Sequence, residues 1–291
     1  MITGGYMGKI LRINLSDQTY REEETSEIMA KQFIGGAGFG IKILFDEVKP
    51  GTDPLGPDNK LIFASGPLTG SKAVCASRMA VTAKSPLTGA VGMGLTGGWF
   101  PAELKFAGYD AMIIEGKAEQ PVYLWINDGK VSFRSAKKTW GTKTFDCQQI
   151  IKDELRDQNI RVACIGPAGE RQSLCACIIT NRGDAAGRSG LGAVMGSKKL
   201  KAIVAKGEMQ VPIYDLEAAN AFRKEQREYA KNFIEFFGIY GTSSHGDSSA
   251  QSGDTPVKNW GGVGVVEVPD VSGLNKDKMV ANLDKRKGCW H

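Results

Sequence analysis

The chain has 291 residues, 42% of them hydrophobic and 24% charged, which is typical of a globular protein and excludes disordered and fibrous classes. No apolar run approaches the ~20 residues of a membrane span and the first residues lack an export signal, so we expect a soluble, cytoplasmic protein with no membrane partner. The net charge of +5 comes from scattered residues, which argues against nucleic acid as a partner.

Short β-branched or alternating segments bounded by turn residues predict nine strands in the first 210 residues. These strands cover residues 8–15, 59–65, 77–83, 110–116, 121–127, 130–135, 160–166, 175–181 and 201–207. Apolar residues at helical spacing predict helices at 26–34, 100–108 and 144–157. Strands and helices mixed without a regular βαβ alternation predict an α+β fold.

After residue 210 the strand patterns give way to a helical pattern and then to a Ser- and Gly-rich stretch. Residues 215–238 predict one amphipathic helix that Asp215 caps and Gly238 ends. The Ser- and Gly-rich stretch that follows shows little periodicity, and a loop of that length is uncommon inside a compact domain. We expect it either to wrap on another surface or to lack its packing partner.

Short segments recur in the same order about 90–100 residues apart, which indicates a duplicated unit. The matches are GP at 66 and 166, CA at 75 and 175, GAVGMG at 89–94 with GAVMG at 192–196, AMIIEG at 111–116 with AIVAKG at 202–207, and PVY at 121–123 with PIY at 212–214. The β-rich part is therefore predicted to consist of two related halves.

Glycine accounts for 37 residues, nearly double its usual share of about 7%, and it concentrates at 77–100 and 181–203. The segments include the arginines Arg78, Arg182 and Arg188 and the nearby lysines Lys84, Lys198 and Lys199. Backbone N–H groups in glycine turns bind anions, and arginine adds bidentate donation to phosphate. The segments predict sites for one ligand with two phosphate arms or for two ligands with one each. The alternative is that the glycines serve only turns and close strand packing.

Other classes of site fit less well. Gly196-Ser197-Lys198 lacks the spacing of a Walker A loop, and GGAGFG at 35–40 lacks the last glycine of a dinucleotide fingerprint and follows a helical pattern. Two histidines cannot supply a zinc or non-haem iron site with several imidazoles. Of the six cysteines, expected to be reduced, Cys175 and Cys177 are predicted to be small buried residues on one face of a strand.

A series of segments resembles the aldehyde:ferredoxin oxidoreductase family of tungsten- or molybdenum-pterin enzymes. They are GKILRINL, FIGGAGFGIKIL, NKLIFASGPLTG, KSPLTG, GGWFPAELKFAGYDAMIIEGKAEQPVYL, IGPAGE, AAGRSGLGAVMGSKKLKAI and YGT, which together cover about residues 5–291 in order. The resemblance implies a β-rich pterin-binding base domain of two related halves at 1–210 and the incomplete start of a helical domain at 211–291. Two pterins that coordinate one metal would lie on the base domain, beneath helical domains.

The resemblance also implies which residues contact the cofactor. The positions that match are Arg78, Leu95, Thr96, Gly97 and Gly98 in the first segment, and Asp184, Ala185, Ala186, Gly187 and Arg188 in the second. The carbonyls of Leu95 and Ala185 would hold a Mg²⁺ that bridges the pterin phosphates. Leu95 stands where the family often has Asn, and Asp184 stands where a basic residue is expected, for which Arg182 or Arg188 is the candidate to compensate.

Cys289, in the final RKGCWH, matches the first ligand of the [4Fe–4S] cluster in this family. One cysteine cannot hold a cluster, so this chain alone is expected to be inactive. The cluster, the substrate pocket and most of the helical domains would come from residues that are missing here.

The function implied for the intact enzyme is oxidation of an aldehyde with water to a carboxylic acid, with ferredoxin as the electron acceptor. The electrons would pass from tungsten or molybdenum through the pterin and the cluster. A homodimer is compatible with this scheme.

Two alternative functions stay open. The chain could be a stand-alone pterin- or phosphate-binding module without catalytic activity, or an ordinary nucleotide-binding enzyme, although the latter fails the motif tests.

Overall fold

Two six-stranded sheets contain the twelve strands found among the residues that the structure describes. The structure is a computed structural model that describes residues 4–71, 73–181 and 183–283. The chain divides into two units between Leu216 and Glu217, and both sheets belong to the first unit.

The first sheet is mixed, and one parallel pair lies within it. Its strands are β1 (Lys9–Asn14), β2 (Thr19–Glu24), β3 (Leu61–Ser65), β4 (Met79–Lys84), β5 (Val91–Thr96) and β6 (Ala111–Glu115). They are ordered β2-β1-β6-β3-β4-β5, with β1 and β6 parallel and the other neighbours antiparallel.

The second sheet repeats this arrangement. Its strands are β7 (Val122–Asn127), β8 (Lys130–Ser135), β9 (Arg161–Cys164), β10 (Ile178–Thr180), β11 (Asp184–Ala186) and β12 (Leu200–Lys206). They are ordered β8-β7-β12-β9-β10-β11, and only β7 and β12 are parallel. Each strand of the first sheet therefore has a counterpart six strands later. The α+β fold and the two related halves are confirmed.

The helices of the first unit cover the outer faces of the sheets and fill the space between them. They are α1 (Glu27–Phe33), α2 (Ala37–Glu47), α3 (Phe100–Phe106), α4 (Thr144–Leu155), α5 (Pro167–Glu170) and α6 (Leu191–Ser197). The main core lies between the sheets and includes residues of α3 and α6. Smaller apolar clusters lie under α1 and α2 on the first sheet and under α4 on the second.

Strand alternation explains these layers. In β1, Ile10 packs beneath α1 and α2, whereas Leu11 and Ile13 belong to the core between the sheets. One recurrence in the sequence does not follow the duplication. Residues 89–94 lead into β5, but 192–196 lie in α6, because the counterpart of β5 is β11.

The GGAGFG segment forms the start of α2 and serves packing. A Cβ at Gly38 would lie 2.0 Å from Phe33 O, and one at Gly40 would lie 2.0 Å from Thr82 Oγ1. The hydroxyl of Thr82 is buried against this helix and has no hydrogen-bond partner among the described residues.

Replacing Thr82 by valine is therefore expected to stabilise the protein by about 1 kcal/mol, because it removes a buried unpaired hydroxyl and keeps the shape of the side chain. Guanidinium unfolding measures the change. The matched control is Thr69→Val. The Thr69 hydroxyl is buried but lies 2.8 Å from Arg78 O, so its removal should cost about 1 kcal/mol. Equal effects of the two substitutions would contradict this interpretation.

The second unit is helical. Its elements are α7 (Leu216–Tyr229), α8 (Lys231–Tyr240), α9 (Gly246–Ser252), α10 (Gly264–Glu267) and α11 (Lys276–Ala281), with 3-10 turns at Gly241–His245 and Ser272–Leu274. The prediction of a single helix at 215–238 is wrong, because the helix is interrupted at Ala230 and Gly238 lies inside α8. The expected loop after it contains short helices instead.

Two cysteines differ from their predicted burial. Strand β10 begins only at Ile178, so Cys175 is exposed and Cys177 is half-buried, and the prediction that both are buried is wrong.

No single helix among the described residues has the length and hydrophobicity of a membrane span. The pair α1 and α2, bent by 114°, passes that test when the two helices are taken together.

Candidate functional site

The two glycine-rich segments meet where edge strands β5 and β11 of the two sheets pack against each other. A Cβ at Gly94 would lie 3.1 Å from the Cα and carbonyl carbon of Ala186, and one at Gly92 would lie 2.7 Å from Ser189 Cβ. The buried face of β5 is therefore made of small residues that allow the main chain of β11 to approach. Close packing accounts for these two glycines.

Arg78 lies at one end of this junction. It immediately precedes β4, where Met79 pairs with Thr96 at the end of β5. A Cβ at Gly97 would lie 3.5 Å from an Arg78 guanidinium nitrogen, so the arginine runs beside the Gly97 backbone. Arg78 is exposed, and it forms no ion pair within the part of the chain that the structure describes. Its charge is available to an anion.

Gly98 and Asp184 bring the two segments into direct contact. Gly98 has a φ of +77°, and a Cβ there would lie 2.4 Å from Asp184 Oδ2 and 2.6 Å from Asn181 Nδ2. Asn181 donates to Asp184 Oδ2 at 3.3 Å. The positive φ favours glycine at position 98, and any Cβ there would also displace the Asp184 and Asn181 side chains. The Asp184 carboxylate thus lies against the Gly98 backbone, with its negative charge at the junction.

Hydroxyl groups also lie at the junction, and among their residues the sequence singled out only Thr96. Thr96 Oγ1 and Thr180 Oγ1 are 2.7 Å apart and buried. Ser85 donates to Ser189 O at 2.8 Å and so joins the two segments, whereas Ser77 donates to Gly98 O within the first segment. For Thr180, Ser77 and Ser85 the only signal in the sequence was a position in or beside a glycine segment, because their partners are distant in sequence.

The remaining candidate residues differ in exposure. The Leu95 side chain is 54% exposed and shares the outer face of β5 with Val91 and Met93. Ala186 is buried in the junction, while Gly187 and Arg188 are exposed beside it. No carboxylate pairs with Arg188 among the residues described. Arg182 and Cys289 lie outside the described residues.

A further cation lies just beyond Gly98. The Arg161 guanidinium is 5.0 Å from the centre of the Trp99 ring, and its Nε is buried without a hydrogen-bond partner among the described residues. Burial raises the pKa of Glu103 in the same region, although its carboxylate accepts a hydrogen bond from Gly207 N at 3.1 Å.

The lysines of the two segments do not join the junction. Lys84 Nζ donates to Thr52 O at 2.7 Å, and Lys199 Nζ donates to Glu119 O at 2.6 Å. Lys198 is fully buried and donates to Pro57 O and Gly116 O at 3.1 and 3.0 Å. The basic character of the site therefore comes from arginine.

Burial, with a contribution from the nearby positive charge of Lys60, lowers the pKa of Lys198 to about 7 from its ordinary 10.5. Because the pKa is lower in the folded protein, its contribution to stability is present above the unfolded pKa and is lost as the pH falls. Wild type should lose on the order of 3 kcal/mol relative to Lys198→Met between pH 10 and pH 7. Urea unfolding at several pH values measures this difference, and parallel profiles would contradict it.

The chemistry of the junction suits a phosphate group rather than a metal ion bound by side chains. No cluster of three or more His, Cys, Asp or Glu side chains could hold a metal among the residues with described positions. Arg78 and Arg188 supply planar donors, and β5 and β11, as edge strands, present backbone groups that are not paired within a sheet. Such carbonyls are suitable ligands for Mg²⁺.

Comparisons with known proteins agree with this organisation. The family model for the aldehyde ferredoxin oxidoreductase N-terminal domain matches residues 10–207. The tungsten-containing aldehyde ferredoxin oxidoreductase of Pyrococcus horikoshii is 52% identical over 211 residues, which are 72% of this chain and 35% of that protein. The enzyme of the same name from Pyrococcus furiosus is 43% identical over 259 residues, which are 88% of this chain and 43% of that protein.

A solved structure shares the fold. The active-site complex BamBC of benzoyl coenzyme A reductase, in complex with 1,5-dienoyl-CoA, matches with a TM-score of 0.78 and 36% identity, over 83% of this chain and 37% of that chain. The chain thus spans less than half the length of each of these proteins. Since the family model covers more than half of the chain, the chain belongs to the aldehyde ferredoxin oxidoreductase family.

Proposed function

We propose that the junction of β5 and β11 binds the phosphate groups of a tungsten or molybdenum bis-pterin. The observation that carries the proposal is the contact between the two arginine-containing segments, made by Gly98 with Asp184 and by Gly94 with Ala186. Two segments from related halves that share one surface can hold two phosphates side by side, which suits a cofactor with two pterins.

The described residues fit such a ligand. Arg78 and Arg188 are exposed, whereas Gly97 is buried beside the Arg78 guanidinium and Gly98 is half-buried against the Asp184 carboxylate. The carbonyls of Leu95 and Ala185 are our candidates for holding Mg²⁺ between the phosphates. The Asp184 carboxylate opposes phosphate binding unless such a cation compensates its charge, so the proposal predicts that binding depends on magnesium.

The reaction that we propose for the whole enzyme is oxidation of an aldehyde with water to a carboxylic acid, which releases two electrons and two protons. When bound, the metal-pterin supplies this redox chemistry, and the protein binds and orients it. The names of the relatives favour an oxidoreductase over a stand-alone binding module. We assign the substrate pocket and the remaining cluster ligands to the portion of these relatives that the chain does not match.

The partners follow from the same proposal. Ferredoxin is the proposed electron acceptor, through a [4Fe–4S] cluster to which Cys289 would contribute one ligand, and a homodimer is compatible with this scheme. A reducing cytoplasm fits the five cysteines among the described residues, all of which are free. The chain by itself is expected not to oxidise aldehydes.

Cofactor content tests the proposal. The protein is purified without oxygen from cells supplied with tungstate, and tungsten is measured by mass spectrometry and pterin by fluorescence after oxidation. We expect both to copurify, with two pterins for each tungsten atom. A folded protein that contains neither, and that does not bind magnesium pyrophosphate in calorimetry, would refute the proposed function.

A further inference from the structure

The hydroxyl pair Thr96–Thr180 connects the two sheets within the junction of the glycine segments. The oxygens are 2.7 Å apart, and the residues are 1% and 0% exposed. Thr96 is the last residue of β5 and precedes Gly97, while Thr180 is the last residue of β10 and precedes Asn181. The pair therefore joins the end of the first segment to the residue that precedes the second.

The two hydroxyls share one short hydrogen bond, in which either oxygen can be the donor. Thr180 Oγ1 also lies 3.5 Å from Asp184 O, at the long limit of a hydrogen bond. This chain of hydrogen bonds runs from the end of β5 to the first residue of β11. It fixes the backbone of Asp184 relative to that of Gly97.

Burial of Thr96 excludes direct contact between its side chain and a bound ligand. Its hydroxyl faces Thr180 inside the protein, so its side chain cannot contact a ligand on the exposed surface of the junction. We propose that Thr96 and Thr180 are positioning residues that set the spacing of the two phosphate-binding segments, an inference that rests on the proposed function. A shift of a few tenths of an ångström in either segment would separate the groups that hold the two phosphates.

The test is a double-mutant cycle on the whole chain, with magnesium pyrophosphate as the probe in calorimetry. Thr96→Val and Thr180→Val are each expected to raise the Kd about tenfold, and the double variant is expected to bind no more weakly than either single variant, because both remove the same link. Thr96→Ser keeps the hydroxyl and should restore wild-type affinity. Thr82→Val, which removes an unpaired buried hydroxyl in the adjacent strand β4, should leave the Kd unchanged.

Unfolding curves for every variant distinguish a loss of affinity in a folded protein from a loss of folding. Alanine replaces valine at position 96 or 180 wherever the valine variant does not fold. Wild-type binding with unchanged affinity in the valine variants would overturn the inference, as would additive losses in the double variant. Failure of the wild type itself to bind the probe would instead refute the proposed function.

Discussion

Gly94→Val is expected to destabilise the domain by about 3 kcal/mol and to abolish binding of magnesium pyrophosphate. Residue 94 lies on the buried face of β5, where a Cβ would already be 3.1 Å from three atoms of Ala186. Two of these atoms are main chain, so the contact cannot be relieved by a rotamer change. The methyl groups of valine would force β5 and β11 apart and separate the two segments.

Guanidinium unfolding and calorimetry measure the two effects. The matched control is Met93→Val, which introduces the same side chain one residue away on the outer face of β5, where Met93 is 37% exposed. Its stability should stay within about 0.5 kcal/mol of wild type. A Gly94→Val protein with wild-type stability and affinity would show that the two strands do not pack as described.

Arg78→Ala is expected to weaken binding of magnesium pyrophosphate about 100-fold, because a charge-assisted bidentate contact contributes roughly 1.5–3 kcal/mol. Stability should change little, since the side chain is exposed and forms no ion pair within the described part of the chain. Arg78→Lys keeps the charge but loses the planar geometry, so it should recover only part of the affinity. Calorimetry at fixed ionic strength makes the comparison.

Arg21→Ala is the control for a general effect of charge. Arg21 lies on β2, at the opposite edge of the same sheet, and its side chain is 66% exposed. Its removal lowers the net charge by the same amount as Arg78→Ala but should leave the affinity unchanged. Equal losses in the two variants would mean that the probe responds to overall charge and not to the junction.

The duplication was predictable from the sequence, because GP and CA recur at equivalent positions after β3 and β9 and before β4 and β10. Strands β5 and β11 were missed for a physical reason. Their buried faces carry mainly glycine and alanine, which have low strand propensity, whereas the sheets need small residues where their edges meet. Strand β2 was missed because its TYREEE sequence lacks an apolar face.

The site was only partly predictable. The convergence of Arg78 with the 184–188 segment followed from the resemblance, but the Thr96–Thr180 pair joins residues 84 positions apart and depends on how the sheets pack. The lysines were assigned to the site because the sequence shows that they are positively charged but does not show which groups they hydrogen-bond. Lys198 instead satisfies two buried carbonyls, a role that no local pattern reveals.

A crystal structure of the chain grown with magnesium pyrophosphate tests the central claim most directly. We predict electron density for the anion at the junction, between Arg78 and Gly97–Gly98 on one side and the 184–188 segment on the other, with both segments in contact with it. Density confined to a different surface, or a junction left empty at saturating ligand, would contradict the account.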